Sequence, residues 1–343
     1  MERRGWTVLI GTVLIAALTA ASLLIQVPYV AFGPGPTYNT LGKNDNKLII
    51  TPVKGTAYPS TGQLRMVTVS VYPAAEDTSM TLWEAVYDWW DPNYAVVPKE
   101  VVYPPDETTQ QSNKRETQEM TDSQSAAEAA GYSALGCSIN VTVTSVTKGG
   151  PSAGKLKAGD VITSVDGKTV TSSSTLVSLV QAAKPGTVRT VGYERNGKAG
   201  TTRITTTKDS SGKAILGVSI DEKQPCKYQV KVNLADVGGP SAGLMFALAI
   251  VDTFTKEDLT GGKVIAGTGT IDELGKVGAI GGIQEKMIGA KRDGATVFLT
   301  PADNCSEAKA AAPKGLRLIK VSTLHGALQA LANLRAGRST PTC

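Results

Sequence analysis

The chain has a single histidine, His325, in 343 residues. Chemistry that needs paired imidazoles is therefore excluded, as is a zinc site built from histidines at their usual spacings. The four cysteines, Cys137, Cys226, Cys305 and Cys343, form no CxxC pair, which removes the thiolate alternative. No metal or other cofactor is expected. Phenylalanine is sparse at four, and no dense basic block accompanies the net charge of +5. Nucleic-acid binding, which needs a concentrated positive face, is not expected. No repeat of solenoid period is visible. What is plentiful is glycine, at 36, and a hydrophobic content of 41% suits a turn-rich globular protein. The length allows two domains, or three small ones.

Charge is also missing near the amino terminus. After Glu2, Arg3 and Arg4 no charged residue occurs until Lys43. Residues 6–27, from Trp6 to Val27, carry no charge, and Gln26 is their only strongly polar member. A run of about 20 such residues spans a bilayer as a helix. The flanking arginines would keep residues 1–5 in the cytoplasm, as a cytoplasmic tip, and place the bulk of the chain outside it. The expected location is a cell membrane crossed once, with the lipid bilayer as partner. A signal peptide cut among the small residues Thr19 to Ser22 is the alternative, although the apolar run continues past that point. Four cysteines fit an oxidising compartment. They permit three pairings. Joining Cys305 to Cys343 would tether the tail and leave Cys137 for Cys226.

Gly33-Pro34-Gly35-Pro36 is a stiff turn beyond the anchor. Residues 47–51 and 63–72 read as strands, the second alternating Leu64, Met66, Thr68, Ser70 with Arg65, Val67, Val69, Val71. Residues 33–105 thus read as a membrane-proximal β-rich region. Within it LWEAVYDWW (82–90) reads as a short helix holding three of the four tryptophans. These would touch lipid headgroups or form a small local core. Residues 106–130 are polar, helix-prone and free of glycine and proline. They read as a solvated helical spacer holding the next domain away from the anchor.

GGPSAG occurs twice, at 149–154 and 238–243. The first copy is followed by LKAGDVITSVDGKTV (156–170), in which 161–165 reads as a strand and Asp166-Gly167 as a tight turn. Residues 131–208 resemble a PDZ domain, carried by that run. The resemblance implies a module that adds an extended peptide to a sheet edge. Its carboxylate loop would lie near Leu135, Gly136 and Cys137, with Ala134 in place of the first glycine. Ser152 then falls in a turn with no room for a buried helix behind it, and is not expected to be catalytic. Gly167-Lys168-Thr169 imitates the end of a P-loop, but Ile162 stands where its first glycine belongs. No use of ATP by this chain is expected.

The second copy runs into the apolar stretch 244–251, which reads as a buried helix. Pro240 suits a first helical turn. Ser241 would then sit at a helix amino end, where dipole and free N–H groups favour a developing negative charge. Gly238, Gly239 and Gly243 allow close approach of a substrate backbone. A serine nucleophile needs a base, and a lysine serves if burial lowers its pKa. Ile283, Met287 and Ala290 mark the apolar face of a helix opened by Gly281-Gly282. Lys286 lies on its flank, about 40° from Ala290, where a lysine is half buried. A lysine that merely snorkels would occupy the same place.

Three segments, GGPSAGLMFAL (238–248), GTGTI (267–271) and VGAIGGIQEKMIGAKRDGA (277–295), resemble Lon-type serine–lysine proteases. The resemblance implies Ser241 as nucleophile and Lys286 as base, with Thr268 hydrogen-bonded near the lysine to orient it. It implies cleavage of peptide or protein substrates, and ring-like self-association. The many Lon proteases with an acidic residue three before the serine differ here, since Gly238 holds that position and Asp236 comes two earlier. The ATPase module of true Lon is absent. The expected fold is multidomain: a transmembrane helix (6–27), the β-rich segment (33–105), the spacer (106–130), a PDZ-like domain (131–208), an α/β (α+β) Lon-type proteolytic domain (214–336) and a tail (337–343).

Two other readings compete. Residues 239–243 also match G-x-S-x-G, and the order Ser241, Asp303, His325 fits an α/β-hydrolase esterase, but residues 235–237 separate the serine from its strand. HtrA-like proteases need a histidine before the serine, and there is none. A non-catalytic PDZ adaptor with an inactive protease fold stays open.

Overall fold

The computed structural model describes residues 2–73, 78–104, 108–137, 140–234 and 237–343. Asp236, named above, and Asp106, the first residue of the expected spacer, lie outside them. The chain forms two compact units, Met1–Gly131 with Val230–Cys343, and Tyr132–Gln229. The first unit is thus left by the chain and re-entered.

Its amino-terminal half contributes α1 (Glu2–Leu24), β1 (Tyr29–Asn39), β2 (Gln63–Tyr72), α2 (Leu82–Trp90), β3 (Ala95–Pro98) and most of α3 (Thr109–Ala134). The second unit holds β4 (Asn140–Val146), β5 (Val161–Val165), α4 (Ser173–Gln181), β6 (Val188–Arg195), β7 (Lys198–Thr205) and β8 (Val218–Lys223). The first unit resumes with α5 (Gly243–Phe254), β9 (Val264–Gly267), α6 (Ile283–Arg292), β10 (Val297–Pro301), α7 (Cys305–Ala311), β11 (Arg317–Val321) and α8 (Leu324–Arg335).

In the first unit one mixed sheet runs in the order β11-β10-β9-β2-β1-β3. The first four strands are parallel, and β1 is antiparallel to both β2 and β3. Residues 33–105 are therefore no separate region. Their strand β2 sits centrally and pairs Gln63–Met66 with Val264–Gly267 of β9. Leu64 and Met66 are buried on one face and Val67 on the other, the pattern of a strand covered on both sides. Ile283, Met287 and Ala290 of α6 pack with Val67, Ala266 and Phe298. On the other face α5 comes so close that a Cβ on Gly267 would meet Met245 Sδ at 2.8 Å. Every residue of α5 except Thr253 is buried, as the unbroken apolar run 244–251 requires for most of its length.

The spacer reading of residues 106–130 is corrected as well. On α3, Ser112, Met120, Ser123, Ala127 and Ala130 are buried. Their spacing by multiples of three and four makes one stripe. A Cβ on Gly131 would meet Ile250 Cγ2 at 3.0 Å, so the helix is docked along α5 rather than solvated.

The second unit is an antiparallel sheet in the order β7-β6-β5-β4-β8 around a core of Val143, Ile162, Val165, Val191 and Ile204, with α4 supplying Leu176 and Val180. Because β8 pairs with β4, this unit runs past residue 208 to Gln229. Residues 214–220, expected in the proteolytic region, fold within it. The Cys137–Cys226 disulfide closes the unit near both its ends, and Cys305–Cys343 fastens the tail to α7. The tail also accepts a bond at Pro341 O from the Lys320 amide, 3.1 Å. The apolar part of α1, Gly5–Leu24, has a hydropathy of 2.2 and none of it is buried. It is long and apolar enough to cross a membrane, properties a signal sequence shares.

Leu64→Ala tests the corrected sheet. It should cost about 2–5 kcal/mol of stability in denaturant titration and speed amide exchange in α5. Unchanged exchange in α5 would show that residues 33–105 fold apart from it.

Candidate active site

Ser241 stands just before α5, whose first capping position is Ala242. Pro240 thus lies outside the helix, not in its first turn. The backbone at Ser241 is clamped by the segment that follows β9. Thr268 Oγ1 donates to Ser241 O at 3.0 Å, Gly269 N–H donates to the same oxygen at 2.9 Å, and Leu244 N–H donates to Gly269 O at 3.1 Å. Thr268 is fully buried. The bond found for it therefore runs to the backbone of the serine, where the resemblance implied one near the lysine.

From the other side α3 holds the approach to Ser241. Ser123 Oγ donates to Pro240 O at 3.0 Å, and Gly239 N–H, at φ +82, donates to Glu116 O at 3.3 Å.

Lys286 is placed by α6. Gly282 caps that helix in the left-handed region, φ +66, and a Cβ there would meet Val69 Cγ1 at 2.6 Å. Only glycine allows the turn and the close approach to β2 together. Asn304 pins the preceding loop, accepting from Ile280 N–H and donating to Ile280 O, each at 2.9 Å. Lys286 is 4% exposed, more buried than the half-buried flank that its spacing predicts. Burial pushes its ammonium down to about 8, with the neighbouring Glu285 carboxylate opposing. Glu285 is itself buried, and burial raises its carboxyl above the ordinary range.

Ser241 and Lys286 line one cleft of ≈ 420 Å³. Its walls include Gly238, Gly239 and Ala242, residues 67–71 of β2, and Arg115, Glu116, Glu119 and Met120 of α3. Pairing of β2 with β9 stops at Met66, so the strand continues into the cleft without that neighbour. The α3 residues were missed in the sequence. The signal that could have found them is the stripe of serines, alanines and Met120 within an otherwise polar helix.

The other serine and the histidine are elsewhere. Ser152 is fully buried and donates to Leu216 O at 2.6 Å, within the second unit. His325, in the first turn of α8, and Asp303 are exposed, and neither lines the cleft. The esterase triad is not assembled.

The expected carboxylate loop is corrected too. Gly136, at φ +84, closes α3 in a Schellman cap: Cys137 N–H donates to Tyr132 O at 2.9 Å and Gly136 N–H to Ser133 O at 3.0 Å. Cys137 is buried in its disulfide. A groove of this unit lies between α4 and the region of β8. It measures ≈ 210 Å³ and is lined by Leu176, Val177 and Val180 facing Leu216, Val218 and Ile220. β8 is the outermost strand there.

Residues 221–332 match the family model of the Lon protease (S16) C-terminal proteolytic domain, and residues 111–206 that of the PDZ domain. Lon protease 1 of Sorangium cellulosum is 37% identical over 130 residues, which are 36% of this chain and 16% of that protein. The Lon protease of Clostridioides difficile is 45% identical over 65 residues, 19% of this chain and 8% of that protein. The chain therefore matches only a small part of these relatives' length. The PDZ domain of an SdrC-like protein from Listeria monocytogenes is 30% identical, covering 24% of this chain and 86% of that one, with a TM-score of 0.23. The chain carries a proteolytic domain of the Lon serine-peptidase class, joined to a PDZ domain.

The burial of Lys286 has a measurable consequence. Between pH 8 and 10.5 the unfolded chain binds more protons at this site than the folded one. Stability therefore rises with pH across that window, by at most about 3 kcal/mol. Lys286→Met should be more stable than the parent at pH 7, and its advantage should vanish toward pH 10. Equal stability at pH 7 would mean that the ammonium is not desolvated.

Proposed function

We propose that the chain is a membrane-anchored, ATP-independent serine endopeptidase acting outside the cytoplasm, with Ser241 as nucleophile and Lys286 as general base. The observation that carries this reading is the desolvated lysine lining the same cleft as a serine at a helix amino end. A neutral amine accepts the Ser241 hydroxyl proton as Oγ attacks the substrate carbonyl. The ammonium so formed then returns the proton to the leaving amine. The amino end of α5 favours the charge that grows on the carbonyl oxygen. Thr268 and Gly269 hold the serine backbone still, which keeps the attack geometry. The stretch 67–71 of β2 offers an edge to which an extended peptide adds as a strand.

In this reading the groove between α4 and β8 takes peptide or protein partners, with β8 as the receiving edge. The unburied apolar length of α1 supports the anchor, and two disulfides support a compartment outside the cytoplasm.

Peptide cleavage by the solubilised full chain tests the dyad. Ser241→Ala and Lys286→Ala should each lower kcat/KM by at least about a thousandfold, whereas His325→Ala should leave it unchanged. Lys286→Arg should also be inactive, since a guanidinium stays charged. For the parent, kcat/KM should rise with pH to a midpoint near 8, because the neutral lysine is the active form. Cleavage that survives Lys286→Ala and is lost with His325→Ala would restore the esterase triad. Peptide binding with no cleavage by the parent would favour the adaptor.

A further inference from the structure

Three of the four tryptophans lie on α2, and all are exposed: Trp83 at 49%, Trp89 at 72% and Trp90 at 83%. The helix is well defined. Thr81 and Glu84 form a reciprocal capping box at its start. Ala85 is its only buried residue and packs with Ala31 and Met80. At about 100° per residue, Val86, Trp90, Trp83 and Tyr87 follow one another around a single arc. Glu84 and Asp88 share the opposite side. The helix thus buries only a narrow stripe and leaves a broad aromatic arc half or more exposed, with its carboxylates turned away from that arc.

The position of this arc along the chain is fixed by contacts with the end of α1. Leu82 N–H donates to Ile25 O at 2.8 Å, and Gln26 and Val27 pair with Thr81 and Met80. The apolar stretch Gly5–Leu24, none of it buried, ends one residue before Ile25. A bilayer enclosing that stretch has its polar boundary where α2 begins. Tryptophan and tyrosine favour that boundary, and an amphipathic helix lies in its plane. We propose that α2 is an interfacial helix, its Trp83, Tyr87 and Trp90 seated among the lipid headgroups of the bilayer that α1 crosses. This rests on the anchor reading above.

The seat is connected to the cleft. Gln284 Nε2 donates to Pro92 O at 3.0 Å, just beyond α2. Gln284 stands two residues before Lys286 in the first turn of α6. One hydrogen bond thus links the segment that follows α2 to the first turn of the helix that carries the lysine.

The test uses the full chain carrying Trp6→Phe, so that all remaining tryptophans report on α2. It is reconstituted into phosphatidylcholine vesicles, plain or brominated near the top of the acyl chains. Emission should fall at least about twofold in the brominated vesicles, as expected for residues at the interface. Trp89→Glu with Trp90→Glu should weaken the quenching of Trp83 while the chain still resists alkaline extraction. Unquenched emission from a chain that resists extraction would overturn the interfacial helix and leave the anchor standing. Unquenched emission with cross-linked dimers would assign the arc to a second copy and overturn it as well. A chain washed out by alkali would overturn both readings.

Discussion

The burial of one ammonium group governs the architecture around the cleft. Keeping Lys286 out of water costs stability, so the surroundings have to hold it there by other means. Ile283, Met287 and Ala290 supply that hold by packing α6 on Val67, Ala266 and Phe298. The helix can reach β2 only because Gly282 brings nothing to clash with Val69. The lysine thus depends on β2, a strand some 200 residues earlier in the chain. Without β2 the sheet would lack its centre and α6 its floor.

That dependence explains why the second unit is an insertion. The strands that complete the sheet, β1 to β3, precede it, and Ser241 with the helix that starts just after it follows it. Chain order therefore hides the neighbourhood. The alternation in residues 63–72 marks a strand with the bounds the structure gives. It carries no information about partners, because local pattern fixes which side chains face a core and not which core. Burial on both faces, visible only in the structure, is what separates a central strand from the edge of a small separate region.

The two GGPSAG copies show where neighbours in sequence suffice. Before Leu156 the six residues make a turn whose serine is buried against Leu216 O. Before the apolar run of α5 they end at a helix. Length of the following apolar stretch decided between them, and that is a local property. Thr268 shows the limit of such reasoning. Its segment was legible, but its hydrogen bond goes to the carbonyl of residue 241. A motif names the residue and leaves the direction of its side chain to packing. The PDZ-like unit behaves alike: its strands and turns follow from pattern, while residues 135–137 turned out to be a helix cap. A Gly-containing cap and a Gly-containing binding loop look the same in sequence, since both need a left-handed residue.

The docked helix α3 is the sharpest disagreement, and its cause is compositional. A mean over its 26 residues is polar, which argues for solvent. Its contacts with α5 need little volume, however. Small residues on the stripe let two helices approach closely, as at Gly131 with Ile250 and at Ser123 with Gly243. An apolar stripe is the usual sign of a docked helix because most helix contacts are filled by large side chains. Where the partner is as apolar as α5, small residues do the same work, and average hydrophobicity misses them. The polar remainder then serves the cleft: Glu116 offers its carbonyl to Gly239, and Ser123 its hydroxyl to Pro240. A helix that looks like a solvated spacer is in this chain the wall against which the segment leading to Ser241 is set.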